Sequence, residues 1–389
     1  MPRFPNFSAR VGQVGGSVFE RFKPKMAAKG DALIKLHIGD TFAPPKYRLA
    51  LENDFIASAS GFNQYCNTFG IEEFRDALCK KLLEDNELKC RIANIQVTAG
   101  STNALSASMQ ALIGPDEEVL VLTPAWPFFF GMVKIAGGKV VEVPFYSRLF
   151  DVPDLDIVKY LNTFLSEKTV ALYLNTPNNP SGKVLTRLQI EQVADFCREN
   201  NLWIISDEAY DGLTFDDRPH ISIASLPDMF QSTISVFTFS KVFMFAGLRL
   251  GYAVADENVI SNLNKMLVHQ LYSAATISQQ MMLEPLQRRH VWQAQVREGF
   301  QSYRDIVIEN LTVDFPIPEG TYFVMFSTEP YLRGRDYWEV IESCLDAGIS
   351  VAPGDSFGQD YKSYIRLCFT GETPERLKTG LQQLNKILL

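Results

Sequence analysis

The sequence lacks the features that define several classes of protein. Its 389 residues include six cysteines without CxxC or zinc-ligand spacing, and four histidines scattered along the chain. We therefore expect free thiols in a reducing compartment, and we predict neither a disulfide framework nor a metal site. Lys and Arg number 37 against 45 for Asp and Glu, a net charge of −8. No basic run favours nucleic acid or an anionic membrane surface.

Long apolar runs are also missing. The uncharged stretch over residues 92–115 is interrupted by Asn, Gln, Ser and Thr, whereas a membrane-spanning helix needs roughly 20 predominantly apolar residues. The N-terminal residues MPRFPNFSARVGQVGG contain no apolar core typical of a signal peptide. Neither a GxxxxGK[ST] motif nor a GxGxxG after a strand occurs. These absences predict a cytoplasmic protein without the usual nucleotide-binding signatures.

The middle of the chain alternates between short apolar strands and helices. Strands are predicted at residues 95–98, 119–122, 170–174, 202–205, 234–237 and 251–254, with helices following several of them. Strands that are apolar on both faces and alternate with helices are typical of a mostly parallel sheet covered on each side. The predicted fold class is therefore α/β.

The C-terminal part has a different pattern. From Met266 to Ile308 it is long-helical, with a break predicted only at Pro285, and short strands at 320–326, 349–351 and 364–368 then alternate with helices. This pattern predicts a smaller α+β domain. Since 389 residues exceed the usual size of one domain, we expect a large domain over 45–285 and a small one from 1–44 plus 286–389.

Polar residues follow the predicted strands where ligands bind in open parallel sheets, at their carboxyl ends. Gly100-Ser101-Thr102 opens a helix whose free N–H groups suit a phosphate. The other strand ends carry the segments NTPNNPSG, SDEAY and TFSK, and Arg249 follows eight residues after Lys241. A phosphate cradle, an acid, a phenol and a lysine together suit pyridoxal phosphate, which needs an amine, a carboxylate near its ring nitrogen and phosphate donors.

Several segments resemble one family. NTPNNPSGKV, SDEAYDGL and TFSKVFMFAGLRLGY are similar to the signature segments of class I/II pyridoxal-phosphate aminotransferases, the aspartate-aminotransferase-like family of fold type I. TAGSTNAL, GFNQYCNTFGIEE, VAPGDSFG and YIRLCF match as well. The matching segments run in order from about Leu36 to Phe369. The resemblance implies a fold type I enzyme that transfers an amino group by a ping-pong mechanism.

The resemblance also implies roles for the residues around the cofactor ring. Lys241 corresponds to the Schiff-base lysine, and Asp207 to the acid that faces the pyridine nitrogen. Tyr210 and Asn179 correspond to the pair that binds the ring hydroxyl, and Trp126 to the aromatic side chain stacked on the ring. Lys241, Asp207 and Tyr210 form the predicted catalytic group.

The cofactor phosphate is expected to contact Ser101, Thr102, Thr238 and Arg249, again by resemblance. Tyr65 corresponds to a tyrosine that reaches the phosphate of the neighbouring subunit, which implies a homodimer with shared active sites.

The substrate is expected to contact three residues. Arg366 matches the arginine that binds the substrate α-carboxylate, helped by the backbone at Gly39 and by Asn179. Taken singly, each motif has a simpler reading, such as a helix cap at Asp207, a core aromatic at Trp126 or a structural ion pair at Arg366. Their combination in one order favours the cofactor site.

The amino donor is less constrained. Some bacterial aspartate aminotransferases carry a lysine where this chain has Thr102, and others borrow an arginine from the helix after the lysine segment. Residues 266–283 contain neither lysine nor arginine. We therefore predict an apolar or aromatic amino acid, or broad specificity, with a 2-oxo acid as acceptor. The alternatives are a lyase or synthase of the same fold, and a non-catalytic regulatory protein that binds the cofactor.

Overall fold

The computed structural model describes residues 7–16, 19–47 and 62–389. Its strands, in chain order, are β1 (Ile34–Lys35), β2 (Ile95–Thr98), β3 (Glu118–Thr123), β4 (Lys139–Pro144), β5 (Thr169–Asn175), β6 (Trp203–Asp207), β7 (Thr233–Thr238), β8 (Gly251–Val254), β9 (Phe323–Ser327), β10 (Ile349–Ser350), β11 (Ala352–Pro353) and β12 (Tyr364–Cys368).

The helices cover these strands. They are α1 (Lys23–Lys29), α2 (Glu72–Asn86), α3 (Ser101–Leu112), α4 (Pro127–Ala136), α5 (Tyr146–Asp151), α6 (Ile157–Asn162), α7 (Arg187–Glu199), α8 (Glu257–Gln270), α9 (Thr276–Gln287), α10 (Arg289–Asn310), α11 (Tyr337–Asp346) and α12 (Pro374–Leu388). Within the described ranges, no helix is both long enough and apolar enough to cross a membrane.

A seven-stranded sheet forms the centre, in the order β2-β8-β7-β6-β5-β3-β4. Strands β7, β6, β5, β3 and β4 run parallel, whereas β8 is antiparallel to both of its neighbours. The predicted α/β class with a mostly parallel sheet is confirmed. The edge strand β4 was not predicted, because Lys139 and Glu142 interrupt its apolar pattern.

Alternate residues of the central strands fill the cores on the two faces of this sheet. In β5, Leu172 and Leu174 pack into one cluster, which includes the α7 residues Ile190 and Val193. Tyr173 points to the opposite face, against Phe129 of α4, with ring centroids 3.6 Å apart. Both faces are apolar, as a sheet between two helical layers requires.

Two smaller sheets involve the C-terminal part. Strands β11, β12 and β9 form an antiparallel sheet in that order. Strand β1 pairs in parallel with β10, with Ile34 opposite Ile349, so an early segment is joined to a late one. Helix α12 packs against α10 and α11.

The prediction of a single break, placed at Pro285, was wrong. The region consists of α8, α9 and α10, and Pro285 lies inside α9. The carbonyl of Pro285 accepts a hydrogen bond from Trp292 Nε1 at 3.2 Å, so the next helix satisfies it. The three helices are separated by two breaks, one after Gln270, where Tyr272 adopts a left-handed φ of 68°, and one at Arg288, three residues after Pro285.

Candidate active site

Three neighbouring parallel strands bring polar side chains to one edge of the central sheet. Strand β5 ends at Asn175, β6 at Asp207 and β7 at Thr238, with Lys241 following shortly after. Asn175 lies opposite Asp207, and its Nδ2 donates to the Asp207 carbonyl oxygen at 2.8 Å. The same side chain fixes the next loop, since its Oδ1 accepts from the Asn179 N–H at 2.8 Å. The sheet register therefore fixes the positions of these residues.

Asp207 is buried and held by two donors. Its Oδ2 accepts from the Tyr173 hydroxyl at 2.7 Å, and its Oδ1 accepts from the Ala209 N–H at 3.2 Å. Burial raises the pKa of Asp207 to about 6, while the hydrogen bonds and Lys241 act in the opposite direction. A positive group beside this carboxylate would relieve the cost of its burial.

Lys241 extends from the loop after β7 toward the same space. Its Nζ donates to the Tyr322 hydroxyl at 2.8 Å and to the Gly39 carbonyl at 3.4 Å, and it lies 5.5 Å from the centre of the Tyr210 ring. Burial lowers the pKa of Lys241 to about 8. The uncharged amine, which is the nucleophilic form, is therefore accessible near neutral pH.

A cavity of about 220 Å³ joins most of the predicted site residues. Those that line it are Ser101, Thr102, Trp126, Asn179, Asp207, Tyr210, Lys241 and Arg249. The cavity thus has a carboxylate and an amine at one part of its wall and a guanidinium with hydroxyls at another. This is a donor set for a ligand that carries both a reactive carbonyl and an anion.

The anion end of the cavity is formed at the start of α3. Ser101 is the first helical residue, so unpaired backbone N–H groups and the helix dipole favour negative charge there. The Arg249 guanidinium lies against this turn and donates to the Ala246 carbonyl at 3.0 Å and to Ser240 Oγ at 3.4 Å. In the part of the chain that the structure describes, Arg249 forms no ion pair, and its charge stays available to a ligand.

Two glycines allow this close approach. Gly100 has φ of +80°, and a Cβ on it would lie 2.7 Å from Arg249 Nη2. A Cβ on Gly251, the first residue of β8, would lie 2.8 Å from the Ser101 nitrogen and 2.6 Å from the Phe237 carbonyl. Side chains at either position would separate the groups of the anion end.

Thr238 is not among the cavity-lining residues. Its hydroxyl lies behind the wall, where it bonds to Ser240 Oγ at 2.9 Å and to the Leu250 carbonyl at 3.3 Å. Ser240, two residues later, lines the cavity instead. Of these two hydroxyl residues only Ser240 lines the cavity, and its hydroxyl accepts a hydrogen bond from Thr238.

Arg366, in β12, reaches the site from the small antiparallel sheet. It is 6% exposed, and its Nη1 and Nη2 donate to Asn179 Oδ1 at 3.1 Å and to the His37 carbonyl at 2.6 Å. Its Nε is buried and has no hydrogen-bond partner among the described residues. No carboxylate of the described residues pairs with this guanidinium, and the Phe323 ring covers it at 4.3 Å. A buried cation that lacks an anion favours a carboxylate ligand.

His37 shares this end of the site with Arg366. Its Nδ1 lies 2.7 Å from Ser350 Oγ, and the ring is buried. Burial and the Arg366 charge lower the pKa of His37 to about 4. Gly39, two residues on, offers its carbonyl to Lys241 and lies between the amine and the Arg366 end.

A larger apolar cavity of about 750 Å³ adjoins the site through Thr102 and Trp126. Phe128, Phe130 and Ile135 of α4 line it together with residues 13–16 of the N-terminal segment. Val14 packs close to Gly131 at the middle of that helix. The space beside Trp126 is therefore suited to apolar groups.

Tyr65 does not lie in the cavity. It is 82% exposed, and its ring packs edge-on against Tyr272, which is also exposed, with centroids 4.8 Å apart. Gly61, the first residue of the predicted motif around Tyr65, lies outside the described residues. Within one chain, Tyr65 therefore has no contact with the residues that converge on Lys241.

Tyr322, Ser240, Tyr173 and His37 were not predicted from the sequence. Ser240 directly precedes Lys241, and His37 lies two residues before Gly39. Their closeness to predicted site residues was therefore a signal that could have identified both. Tyr173 and Tyr322 lie in or beside strands and follow the apolar pattern, so nothing local marks them as polar contacts.

Comparisons with known proteins place this geometry in a family. A family model described as "Aminotransferase class I and II" matches residues 32–384. An aspartate aminotransferase of Pyrococcus abyssi is 32% identical over 338 residues, covering 84% of this chain and 85% of the relative. An aromatic-amino-acid aminotransferase 2 of Thermococcus litoralis is 31% identical over 369 residues, covering 92% of both. The structure of aspartate aminotransferase from Thermus thermophilus with maleate is similar at a TM-score of 0.89 and 30% identity, covering 98% of this chain and 100% of that one.

Proposed function

The chain belongs to the class I and II aminotransferases, and from this membership we propose that it binds pyridoxal phosphate and carries the amino group of an apolar or aromatic L-amino acid to a 2-oxo acid by a ping-pong mechanism. The observation that carries the proposal is the buried Arg366, which donates to Asn179 in the wall of the cavity that Lys241 and Asp207 also line, and which pairs with no carboxylate of the described residues. An amino acid and an oxo acid both supply the missing anion.

The residues present fit pyridoxal phosphate. When bound, this group supplies an aldehyde that exchanges between amines and a ring that accepts electrons from the substrate Cα. Ser101, Ser240 and Arg249, with the N-terminus of α3, would hold its phosphate. Asp207 would face its ring nitrogen, where a protonated ring would relieve the burial of this carboxylate.

The remaining cavity residues would orient the ring and the substrate. Tyr210 and Asn179 line the wall next to Lys241 and would contact the ring hydroxyl, while Trp126 would cover the ring face. Lys241, with its lowered pKa, would attach the cofactor and then accept the substrate α-proton. Arg366 would bind the substrate α-carboxylate beside Gly39.

The proposed donor class follows from the wall beside Trp126. Phe128, Phe130 and Ile135 line the large apolar cavity there, and position 102 carries a threonine that cannot pair with a distal carboxylate. Burying an apolar side chain against these residues is favourable by about 25 cal/mol per Å². We therefore propose apolar and aromatic amino acids as the better donors.

A homodimer is part of the proposal. Tyr65 and Tyr272 expose two aromatic rings side by side on the surface of one chain, at 82% and 47%. A second copy that covers them would bring Tyr65 toward the neighbouring site, as the family resemblance implies. We also propose the domain division at residues 45 and 285, which the separate central and C-terminal sheets support, and a cytoplasmic location, which the six free cysteines support.

The test is a visible absorbance titration of the purified, cofactor-loaded protein. Phenylalanine or leucine is expected to remove the yellow absorbance, and 2-oxoglutarate to restore it, while aspartate acts more weakly. Lys241→Ala should abolish this cycle, whereas Lys265→Ala, which removes an exposed lysine of α8, should leave it intact. Failure of the wild-type protein to bind the cofactor would refute the proposal.

Release of ammonia with formation of the oxo acid would instead indicate a lyase of the same fold. Cofactor binding without any reaction across the panel would indicate a regulatory protein. The named relatives, which are aminotransferases, favour neither alternative.

A further inference from the structure

Tyr322 is the closest side chain to the Lys241 amine, and none of the roles above uses it. Its hydroxyl lies 2.8 Å from Lys241 Nζ and 3.2 Å from the Gly39 carbonyl oxygen. We propose that Tyr322 is a positioning residue that holds the free Lys241 amine beside Gly39, so that its nitrogen lone pair is available to the substrate α-proton. The inference rests on the proposed function, in which the substrate displaces Lys241.

The hydrogen-bond directions support this role. An uncharged amine has two N–H donors and one lone pair. Lys241 donates to Tyr322 Oη and to the Gly39 carbonyl, which occupies both donors. The Tyr322 hydroxyl gives its own hydrogen to the same carbonyl. With the Tyr322 hydrogen directed to the Gly39 carbonyl, the lone pair of Lys241 is free to form the new N–H bond when the substrate Cα–H bond breaks.

Tyr322 is held too firmly to serve as a movable contact. It is 1% exposed, and its ring packs edge-on against Tyr210 and Phe300, with centroids 5.5 and 5.8 Å away. The backbone before it is also tied, since the Thr321 N–H donates to the Leu213 carbonyl at 2.8 Å. Because the Tyr322 ring and backbone are already held in place, its hydroxyl can orient the flexible Lys241 side chain without a further loss of its own conformational entropy.

The preceding turn connects Tyr322 to the loop that carries Asn179. Glu319 accepts from the buried Lys183 at 3.0 Å and from the Val184 N–H at 2.9 Å. The Glu319 and Gly320 N–H groups donate to the Gly182 carbonyl at 2.9 and 3.0 Å. The turn before Tyr322 is therefore hydrogen-bonded to the loop that follows Asn179, and these bonds fix the two segments relative to each other.

Several charged groups also act on Lys241, and the effect of Tyr322 has to be separated from theirs. Burial favours its uncharged form and Arg366 acts in the same direction, whereas the carboxylates of Asp40 and Asp207 favour the charged form. Tyr322 is an uncharged partner at hydrogen-bond distance, so its removal leaves these charges in place. The substitution Tyr322→Phe therefore removes one hydrogen-bond acceptor of Lys241 and leaves the charges around the lysine unchanged.

The first experiment compares Tyr322→Phe with Tyr160→Phe in the cofactor-loaded enzyme. Tyr160 is a suitable control because its hydroxyl also makes one short hydrogen bond, to the Pro144 carbonyl at 2.7 Å, away from the cavity. Tyr322→Phe is expected to lower kcat by about 10- to 100-fold with KM within about twofold. The kinetic isotope effect of an α-deuterated donor is expected to rise. Tyr160→Phe should match the wild type.

The second experiment requires no turnover. In protein stripped of cofactor, the pH dependence of Lys241 acylation by a small anhydride is followed by mass spectrometry of its peptide. Because Tyr322 accepts a hydrogen bond that also stabilises the ammonium form, Tyr322→Phe is expected to lower the titration midpoint by about one pH unit. The midpoint of Tyr160→Phe should equal that of the wild type.

The results separate this inference from the proposed function. A wild-type protein that fails to transaminate refutes the function, yet the acylation midpoint still tests whether Tyr322 holds Lys241. An unchanged midpoint refutes the positioning role, whatever the activity. A raised KM with unchanged kcat also refutes it, because the hydroxyl would then contact substrate and not the lysine.

Discussion

Arg249 and Arg366 each bring a guanidinium to the candidate site, but in different surroundings. Arg249 is exposed and lies among backbone N–H groups at the start of α3 and the hydroxyls of Ser101 and Ser240. Arg366 is buried, and within residues 7–16, 19–47 and 62–389 it bonds only to a side-chain amide oxygen and a backbone carbonyl oxygen, with no partner for its Nε. In the proposed enzyme, anion binding would therefore be shared among many groups at one end and would depend on a single side chain at the other.

This difference predicts unequal effects of substitution. Charges near solvent are screened, so each contributes little, and neighbouring donors compensate when one is lost. A buried charge interacts more strongly with its ligand, and nothing nearby replaces it. The following predictions compare the two ends of the site, beginning with the largest effect.

Arg366→Gln is expected to reduce kcat/KM for every amino donor by about 10³-fold, because the substrate carboxylate would then be buried without its cation. Cofactor binding should change little. Arg335→Gln is the matched control, since Arg335 also donates only to carbonyl oxygens, among them Ile387 at 2.9 Å, outside the site. Steady-state kinetics with two donors would check this, and equal losses in both variants would contradict it.

Acid is expected to destabilise the fold through the Arg366 end. The folded protein keeps His37 uncharged down to a pKa of about 4, whereas an unfolded histidine binds a proton below about 6.5. Stability should therefore fall as the pH drops from 6.5 to 4, by roughly 3 kcal/mol for this residue.

His37→Asn should make the fall in Tm over this pH range shallower, and thermal unfolding between pH 4 and 8 would measure it. Above pH 7, where histidine is uncharged in both states, the variant and the wild type should keep a constant difference. Parallel curves over the whole range would show that His37 does not contribute.

Arg249→Gln is expected to weaken cofactor binding by only about 10- to 100-fold, because Ser101, Ser240 and the helix N-terminus remain. With saturating cofactor, KM for the amino donor should equal that of the wild type. Equilibrium dialysis at several cofactor concentrations would measure the loss. A loss of cofactor affinity of about 10³-fold, as large as the loss of kcat/KM expected for Arg366→Gln, would contradict the difference between the two ends of the site.

Much of the fold and of the site was predictable because the information is local. The strands of the central sheet are continuous apolar runs, and the loops after them carry Asp207, Lys241 and Asn179 at positions set by the strand ends. A parallel sheet aligns those ends, so residues far apart in sequence arrive at one edge. Ser101 and Arg249 were predictable for the same reason, since Ser101 begins the helix after β2 and Arg249 follows Lys241 by eight residues.

The site features that the sequence did not predict depend on contacts between residues far apart in the chain, or on turn geometry, and no local pattern encodes either. Tyr322 lies 81 residues from Lys241 and belongs to an apolar segment, whose pattern indicates burial but not a polar partner. Thr238 and Ser240 are both hydroxyl residues near the lysine, and only the turn geometry decides which one lines the cavity. Tyr65 is exposed on the surface of the chain, and the role proposed for it requires a second copy, which no local pattern encodes.

The two glycines at the anion end, Gly100 and Gly251, limit which substitutions this part of the chain can accept. A methyl group on Gly251 would meet backbone atoms within 3 Å, and Gly100 has a φ of +80° that other residues rarely adopt, so both positions favour glycine. The wall formed by Phe128, Phe130 and Thr102 instead lines open space. In the proposed enzyme, substitutions along that wall would change the choice of amino donor and leave unchanged the groups that would hold the cofactor.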